Sequence, residues 1–266
     1  MLGPSLFALY TAFTDMALTG PSAAQPNWVG TTNFSQIFQD PDFFNALRVS
    51  ITYLAGSAII GQAGLGLLLA LLMQGRKPMF RGTIGGIVIA AWVIPDVVAA
   101  FLWSAFLHQD GFLNAINALF GLPQRAWLND APMASVIVAN VWRGTAFSML
   151  IFSAALAGIP SELYEAASID GAGILSRLKS ITLPLLTGAI ATDLLLITLQ
   201  TLSDFTLVWV LTAGGPGYKT QLLTIYVYQQ AFKFYQLGYG TAVSLLILAV
   251  GAILSLVYIR VLRVKF

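Results

Sequence analysis

Residues 159–186 read IPSELYEAASIDGAGILSRLKSITLPLL, and the rest of the chain is read around them. This is the one long segment between apolar runs that carries acids and bases together: Glu162, Glu165, Asp170, Arg177 and Lys179. Ser161 can cap a short helix, with Glu162 in its first turn, where the positive end of the helix dipole favours an acid. Gly171 suits a chain reversal at the helix end, where left-handed backbone angles are common. Ala166 and Ala167 leave one side of that helix nearly bare, so another backbone could approach closely. Pro184 marks where the next apolar run begins. The stretch reads as a short amphipathic docking helix held at a membrane surface by a span on each side.

The flanks support that reading. Charged residues are 9% of the chain and hydrophobic ones 58%, outside the soluble average. The apolar residues come in runs of about 20, the length that crosses a bilayer, and not in amphipathic stripes. Expected spans are 46–73, 82–107 (broken by Pro95), 132–157, 185–211 and 241–261. Gly61, Gly64 and Gly66 in the first of these suggest close helix packing. Residues 1–13 are apolar but too short for a full crossing, so either the chain begins inside a first span or that helix is partial. The expectation is an all-α membrane protein, residues 1–266 as a single transmembrane domain, with about six spanning helices. The segment from Tyr226 to Tyr239 is aromatic enough to lie at the interface or re-enter the bilayer.

Basic residues orient the chain. With the 159–184 loop inside, the inner side receives Arg76, Lys77, Arg81, Arg177, Lys179, Arg260, Arg263 and Lys265. The outer side keeps Arg48, Arg125, Lys219 and Lys233. The loop and the C-terminus are therefore expected in the cytoplasm.

Ionisable residues inside spans are costly and face partners or wet cavities. Asp96, Arg143, Asp193 and Asp204 stand out. Asp193, Gln200 and Asp204 are spaced by seven and four, within roughly 40° of one another on a continuous helix. Asn140 and Arg143 share a face of the 132–157 span. These five residues read either as a wet solute path or as interhelical hydrogen bonds. Asp96 and Arg143 lie at similar depth and read as a candidate structural ion pair. The absence of cysteine excludes disulfides and thiolate metal sites. The lone His108, beside Gln109 and Asp110, reads as a wet interfacial residue. Asn33-Phe34-Ser35 fits a glycosylation sequon, a pattern common by chance. No phosphate-cradling loop, serine elbow or paired-histidine pattern occurs, so no catalytic residue, metal site or nucleic-acid contact is expected.

Glu165-Ala166-Ala167, Asp170-Gly171-Ala172 and Ile181-Thr182-Leu183-Pro184 together resemble the EAA loop of ABC-importer permeases, most nearly the maltose-type sugar permeases. Trp142-Arg143-Gly144-Thr145-Ala146-Phe147 resembles the stretch before that loop, with Ala146 where proline is common. Leu211–Gly217 resembles the family's Gly-Gly-Pro segment, and 27–47 its first external loop. The resemblance implies a permease subunit of a binding-protein-dependent importer, moving a mono-, di- or oligosaccharide inward by ATP-driven alternating access. It also implies partners: a second permease subunit, expected to be a distinct paralogue, two ATP-binding subunits that use ATP and Mg, and an external solute-binding protein. Glu165, Ala166, Ala167, Asp170, Gly171 and Ala172 would then couple the chain to the ATPase. A polyol or glycerol-phosphate solute fits the same frame. An ion-coupled secondary transporter using Asp96, Asp193 and Asp204 as proton sites is the alternative of a different class, though no repeat between halves supports it.

Overall fold

The structure, a computed structural model, describes residues 2–261. Met1, Arg263 and Lys265, which enter the expectations above, lie outside the described residues. The regular structure of the described residues is all helical, and their one β-type pairing is an isolated antiparallel bridge between Thr14 and Trp28. Helix α1 (Leu2–Thr11) has 10 residues, about half the length of a crossing. Helix α2 (Pro41–Met73) is a continuous span with a π-helical stretch at Leu54–Ala63. Helices α3 (Pro78–Val93) and α4 (Asp96–Leu107) are separated at Ile94, which is extended as the residue before a proline must be. Helix α5 (Phe112–Leu119) lies in what the sequence reads as a loop. Helix α6 (Pro132–Ala157) matches the expected span.

After α6 come α7 (Ser161–Ile169), α8 (Ile174–Leu185) and α9 (Thr187–Leu202). The bend between α8 and α9 is 65°. Pro184 lies within the end of α8, and the next long helix starts at Thr187, three residues later than the proline suggests. The expected 185–211 span is not one helix. It ends at Leu202, and a separate helix α10 (Thr206–Thr212) follows. Helices α11 (Leu223–Tyr228) and α12 (Leu237–Val261) complete the described chain. Among the described residues, α2, α6 and α12 are long and apolar enough to cross a membrane, and five crossings result if each of the two broken pairs counts as one. Length and composition thus give three to five crossings among the described residues, against the expected count of about six.

The chain divides into two compact units. The first comprises residues up to 54, 96–136 and 202–253. Its core gathers Ala12, Ile37, Phe43, Tyr226, Tyr239 and Val243. Asp40 caps α2: its carboxylate accepts the Asp42 N–H at 2.8 Å, and Pro41 supplies a first helical residue that needs no N–H partner. The same carboxylate accepts the Tyr226 hydroxyl at 2.5 Å and the Tyr239 hydroxyl at 3.1 Å. One acid therefore fixes the start of α2 against α11 and α12. Burial raises the Asp40 carboxyl pKa, but these hydroxyl and amide donors outweigh it and the net shift is downward. Asn33 is buried, and its amide donates to the carbonyls of Ala12 and Thr14, each at 2.9 Å. The sequon is therefore a structural knot, with its asparagine turned inward.

The second unit comprises 55–95, 137–201 and 254 onward. Small residues on α2 let α6 approach. A Cβ on Gly66 would stand 2.5 Å from Ser148 Cβ and 2.8 Å from the Met149 nitrogen; one on Gly61 would overlap Val141. The reciprocal case is Gly144 on α6, where a Cβ would collide with the Gln62 amide. Gly64, expected to pack, faces open space instead.

Candidate functional site

Helix α7 carries the first candidate site. None of its residues is buried. A nine-residue helix is marginal without tertiary packing, so its ends and side-chain ties hold it. Ser161 is the first helical residue and not the cap; that position is Pro160, with no side-chain cap hydrogen bond. At the other end Gly171 has φ +74°. The Ala172 N–H donates to the Ala167 carbonyl at 2.8 Å and the Gly171 N–H to the Ser168 carbonyl at 3.1 Å. This is the paired closure that a left-handed residue after a helix permits. Two side-chain contacts tie α7 to the following segment: Tyr164 Oη with Thr182 Oγ1 at 3.0 Å, and Arg177, which donates to Ser168 Oγ at 3.0 Å. Glu165, Ala166, Asp170 and Gly171 are exposed, and Ala167 and Ala172 half-buried. Ile169 and Ile174 are 87% and 81% exposed beside these acids. The result is a rigidly closed helix end with acids, small residues and bare apolar side chains together.

The polar residues of the spans do not form one stripe. Asp193 is fully buried on α9, whereas Gln200 on the same helix is exposed. Asp204 lies beyond the end of α9, so it does not continue that helix face. Its carboxylate accepts the Tyr53 hydroxyl at 2.5 Å, and its backbone carbonyl accepts Thr224 Oγ1 at 2.6 Å. Asn140 donates to Ser57 Oγ at 3.1 Å and its carbonyl accepts the Gln62 amide at 3.3 Å. Asn140 and Asp204 are thus engaged in bonds between helices. Asp193 differs: the equally buried Ser148 hydroxyl is its polar neighbour, but neither group makes a well-formed hydrogen bond. Asp96 begins α4 and Arg143 lies within α6, and each has interactions of its own.

The Gly-Gly-Pro segment forms a turn with Ala213 at φ 50° and Gly214 at φ 87°. Thr220 Oγ1 donates to the Gly215 carbonyl at 2.9 Å and pairs with Thr212 Oγ1 at 2.7 Å, which closes the turn. It borders a cavity of about 490 Å³ in the first unit, shared with His108, Gln109 and Asn129. Sequence reasoning placed His108 correctly as exposed but not as part of a cavity wall. The partners lie about a hundred residues apart, and no local signal joins them.

Residues 62–264 match the family model described as binding-protein-dependent transport system inner membrane component. The chain belongs to this family. It is a multi-pass permease component of an inner membrane transport system, as the EAA-like stretch implies. It is 31% identical to the sulfoquinovosyl glycerol transport system permease protein SmoG of Agrobacterium fabrum, over 97% of this chain and 83% of that protein. It is 33% identical to the trehalose/maltose transport system permease protein MalF of Thermococcus litoralis, over 90% of this chain and 81% of that protein. Its fold matches a permease chain of a bacterial alginate ABC transporter solved with an alginate pentasaccharide-bound periplasmic protein. That match has a TM-score of 0.77 at 24% identity and covers 87% of this chain and 82% of that one.

Proposed function

We propose that this permease carries a sugar, as a mono-, di- or oligosaccharide, inward across the membrane by ATP-driven alternating access. The observation that carries the reading is α7: an exposed helix, closed at its C-terminal end, with the EAA-like residues, in a chain of this family. The relatives named for sulfoquinovosyl glycerol and for trehalose and maltose support a sugar over a polyol or glycerol phosphate. In this reading Glu165, Ala166, Ala167, Asp170, Gly171 and Ala172 meet an ATP-binding subunit. Two such subunits bind ATP and Mg, a second permease subunit, a distinct paralogue, completes the pathway, and an external binding protein delivers the solute. The loop around α7 and the C-terminus face the cytoplasm. Coupling requires that ATP and solute favour different states of one bistable assembly. A short helix that leaves its own chain uncovered can follow a moving partner while its closed end transmits the displacement.

The solute path runs past Asn140, Arg143, Asp193, Gln200 and Asp204 in this reading, with Asn140 and Asp204 shaping it through their interhelical bonds. Asp96 and Arg143 remain a candidate pair from sequence depth alone. Asp96→Asn should then harm the protein more than Asp96→Asn with Arg143→Gln. The function itself is tested by uptake into proteoliposomes holding both permeases, the ATPase subunits and the binding protein. Accumulation of a labelled sugar that requires internal ATP supports it. Uptake driven by an ion gradient without ATPase subunits would overturn it in favour of secondary transport.

A further inference from the structure

We propose that helix α5 is an interfacial helix inserted into the outer leaflet of the membrane by its apolar face. The observation is an inverted amphipathic helix. Asn114 is 1% exposed, whereas Phe112 is 65%, Leu119 84% and the following Phe120 76% exposed. At 100° per residue, Phe112, Ala115 and Leu119 fall within about 60° of one another, and Asn114 and Asn117 lie on the opposite side. A helix on a protein surface in water turns its polar side outward. Here the polar side is turned inward and the apolar side outward, so the medium outside α5 is apolar.

The inward side is fully used. The Asn114 amide donates to the carbonyls of Gln109 and Arg125, each at 2.8 Å. Its carbonyl oxygen accepts the Trp127 indole N–H at 3.0 Å and the Arg125 N–H at 3.2 Å. One buried side chain thus ties both ends of the 108–127 segment together and fixes which face of α5 looks out. Lipid is the occupant that the surroundings specify. In the chain, helix α5 follows α4, part of a bent apolar pair, and precedes the membrane-length α6, and the Phe106 and Phe112 rings meet at 5.9 Å. Through that contact the exposed face of α5 continues the exposed apolar surface of α4, where Phe101 is 63% and Leu102 52% exposed. No charge lies between Asp110 and Arg125. Arg125 sits over the Trp127 ring at 5.7 Å, and an arginine with a tryptophan at the edge of an apolar face is the composition of a headgroup-level anchor. His108, Gln109 and Ala126 line the cavity beside the Gly-Gly-Pro turn, so the anchored segment forms one of its walls. This inference rests on the orientation and assembly proposed above, which set the leaflet and the test, but not on the identity of the solute.

The test uses the assembled importer in lipid nanodiscs. The chain has no cysteine, so Leu119→Cys, Phe120→Cys and Gln124→Cys can each be labelled in this subunit before assembly with an environment-sensitive fluorophore. Phospholipids brominated at shallow acyl positions should quench positions 119 and 120 at least twofold more than position 124, and aqueous iodide should show the reverse order. Retained ATP hydrolysis verifies that each labelled assembly is intact, whatever the solute. Equal iodide quenching at all three positions would overturn the proposal by placing α5 in water. Protection of 119 and 120 from both quenchers, with photo-crosslinks from them to the second permease, would overturn it in favour of a protein partner.

Discussion

Substitution at Gly171 separates two ways in which the end of α7 could matter. A Cβ built at this glycine meets nothing within 4 Å, yet its φ is +74°. Within this chain a side chain there is therefore not crowded; the cost lies in the backbone. An L-residue in the left-handed region costs roughly 1–2 kcal/mol, and asparagine tolerates it better than most. If an ATPase subunit binds only the closed helix end, that strain enters the docking equilibrium directly. Gly171→Ala should weaken docking by about 5–30-fold. Gly171→Asn should be milder than Gly171→Ala although its side chain is larger, and Gly171→Val should be worse than both because a β-branched residue is a genuine outlier at positive φ.

The assay is titration of purified ATPase subunits onto nanodisc-held permease, read as half-saturation of ATP hydrolysis. Conformation predicts the affinity order Gly, Asn, Ala, Val. A contact limited by bulk predicts the order Gly, Ala and then the larger side chains. An order that follows side-chain volume, or a Gly171→Ala variant with normal affinity, would refute the reasoning that the closure is what the partner recognises.

Gly66→Ala should destabilise the detergent-solubilised protein by about 1–3 kcal/mol through overpacking against α6 backbone, whereas Gly64→Ala should be neutral or stabilising by up to about 1 kcal/mol; equal melting temperatures would contradict the contact described. A cysteine at Lys179 should be labelled only from the cytoplasm and one at Tyr218 only from outside, and labelling of both from one side would undo the orientation. The Asp40 pKa is lowered in the folded protein, so its contribution is present above the ordinary value of 3.8 and is lost as pH falls through the folded value. Asp40→Asn should therefore lower stability at pH 7 and flatten its decline below about pH 4, and an unchanged acid limb in thermal melts would argue against the tyrosine-held carboxylate. Asp193→Asn should keep or raise thermal stability, because it removes a buried carboxylate that only a poorly aligned Ser148 hydroxyl approaches, while lowering transport; a large loss of stability would assign Asp193 to the frame.

The features legible in the sequence are those whose cause is local. The 132–157 helix follows from an apolar run bounded by Pro132 and Gly158, and the end of α7 from a glycine that must turn left-handed. The family pattern was readable for the same reason, since Glu165 to Ala172 lie within one helix and its closing turn. The misread features depend on distant partners. Leu202-Ser203-Asp204-Phe205 contains neither glycine nor proline, so periodicity carries a helix through it. What occupies that break is Tyr53, 151 residues away, bonded to the Asp204 carboxylate. Asn114 looks like a loop asparagine until Arg125 and Trp127 close around it. The carboxylate of Asp40 looks like a helix cap alone until Tyr226 and Tyr239 arrive.

That division bears on which polar residues of the spans are left for function. A polar group inside a membrane segment must be paired or must face something wet. Asn140 and Asp204 are paired, with partners that sequence spacing could not name, and so the fold itself accounts for their presence. Gln200 is exposed on the surface of this chain and so carries no burial cost. Asp193 is buried, and its one polar neighbour, the Ser148 hydroxyl, makes no well-formed hydrogen bond to it. Among Asn140, Asp193, Gln200 and Asp204, it is the one whose burial this fold offsets least. Its compensation must therefore come from a change of protonation, from water, or from another state of the transport cycle.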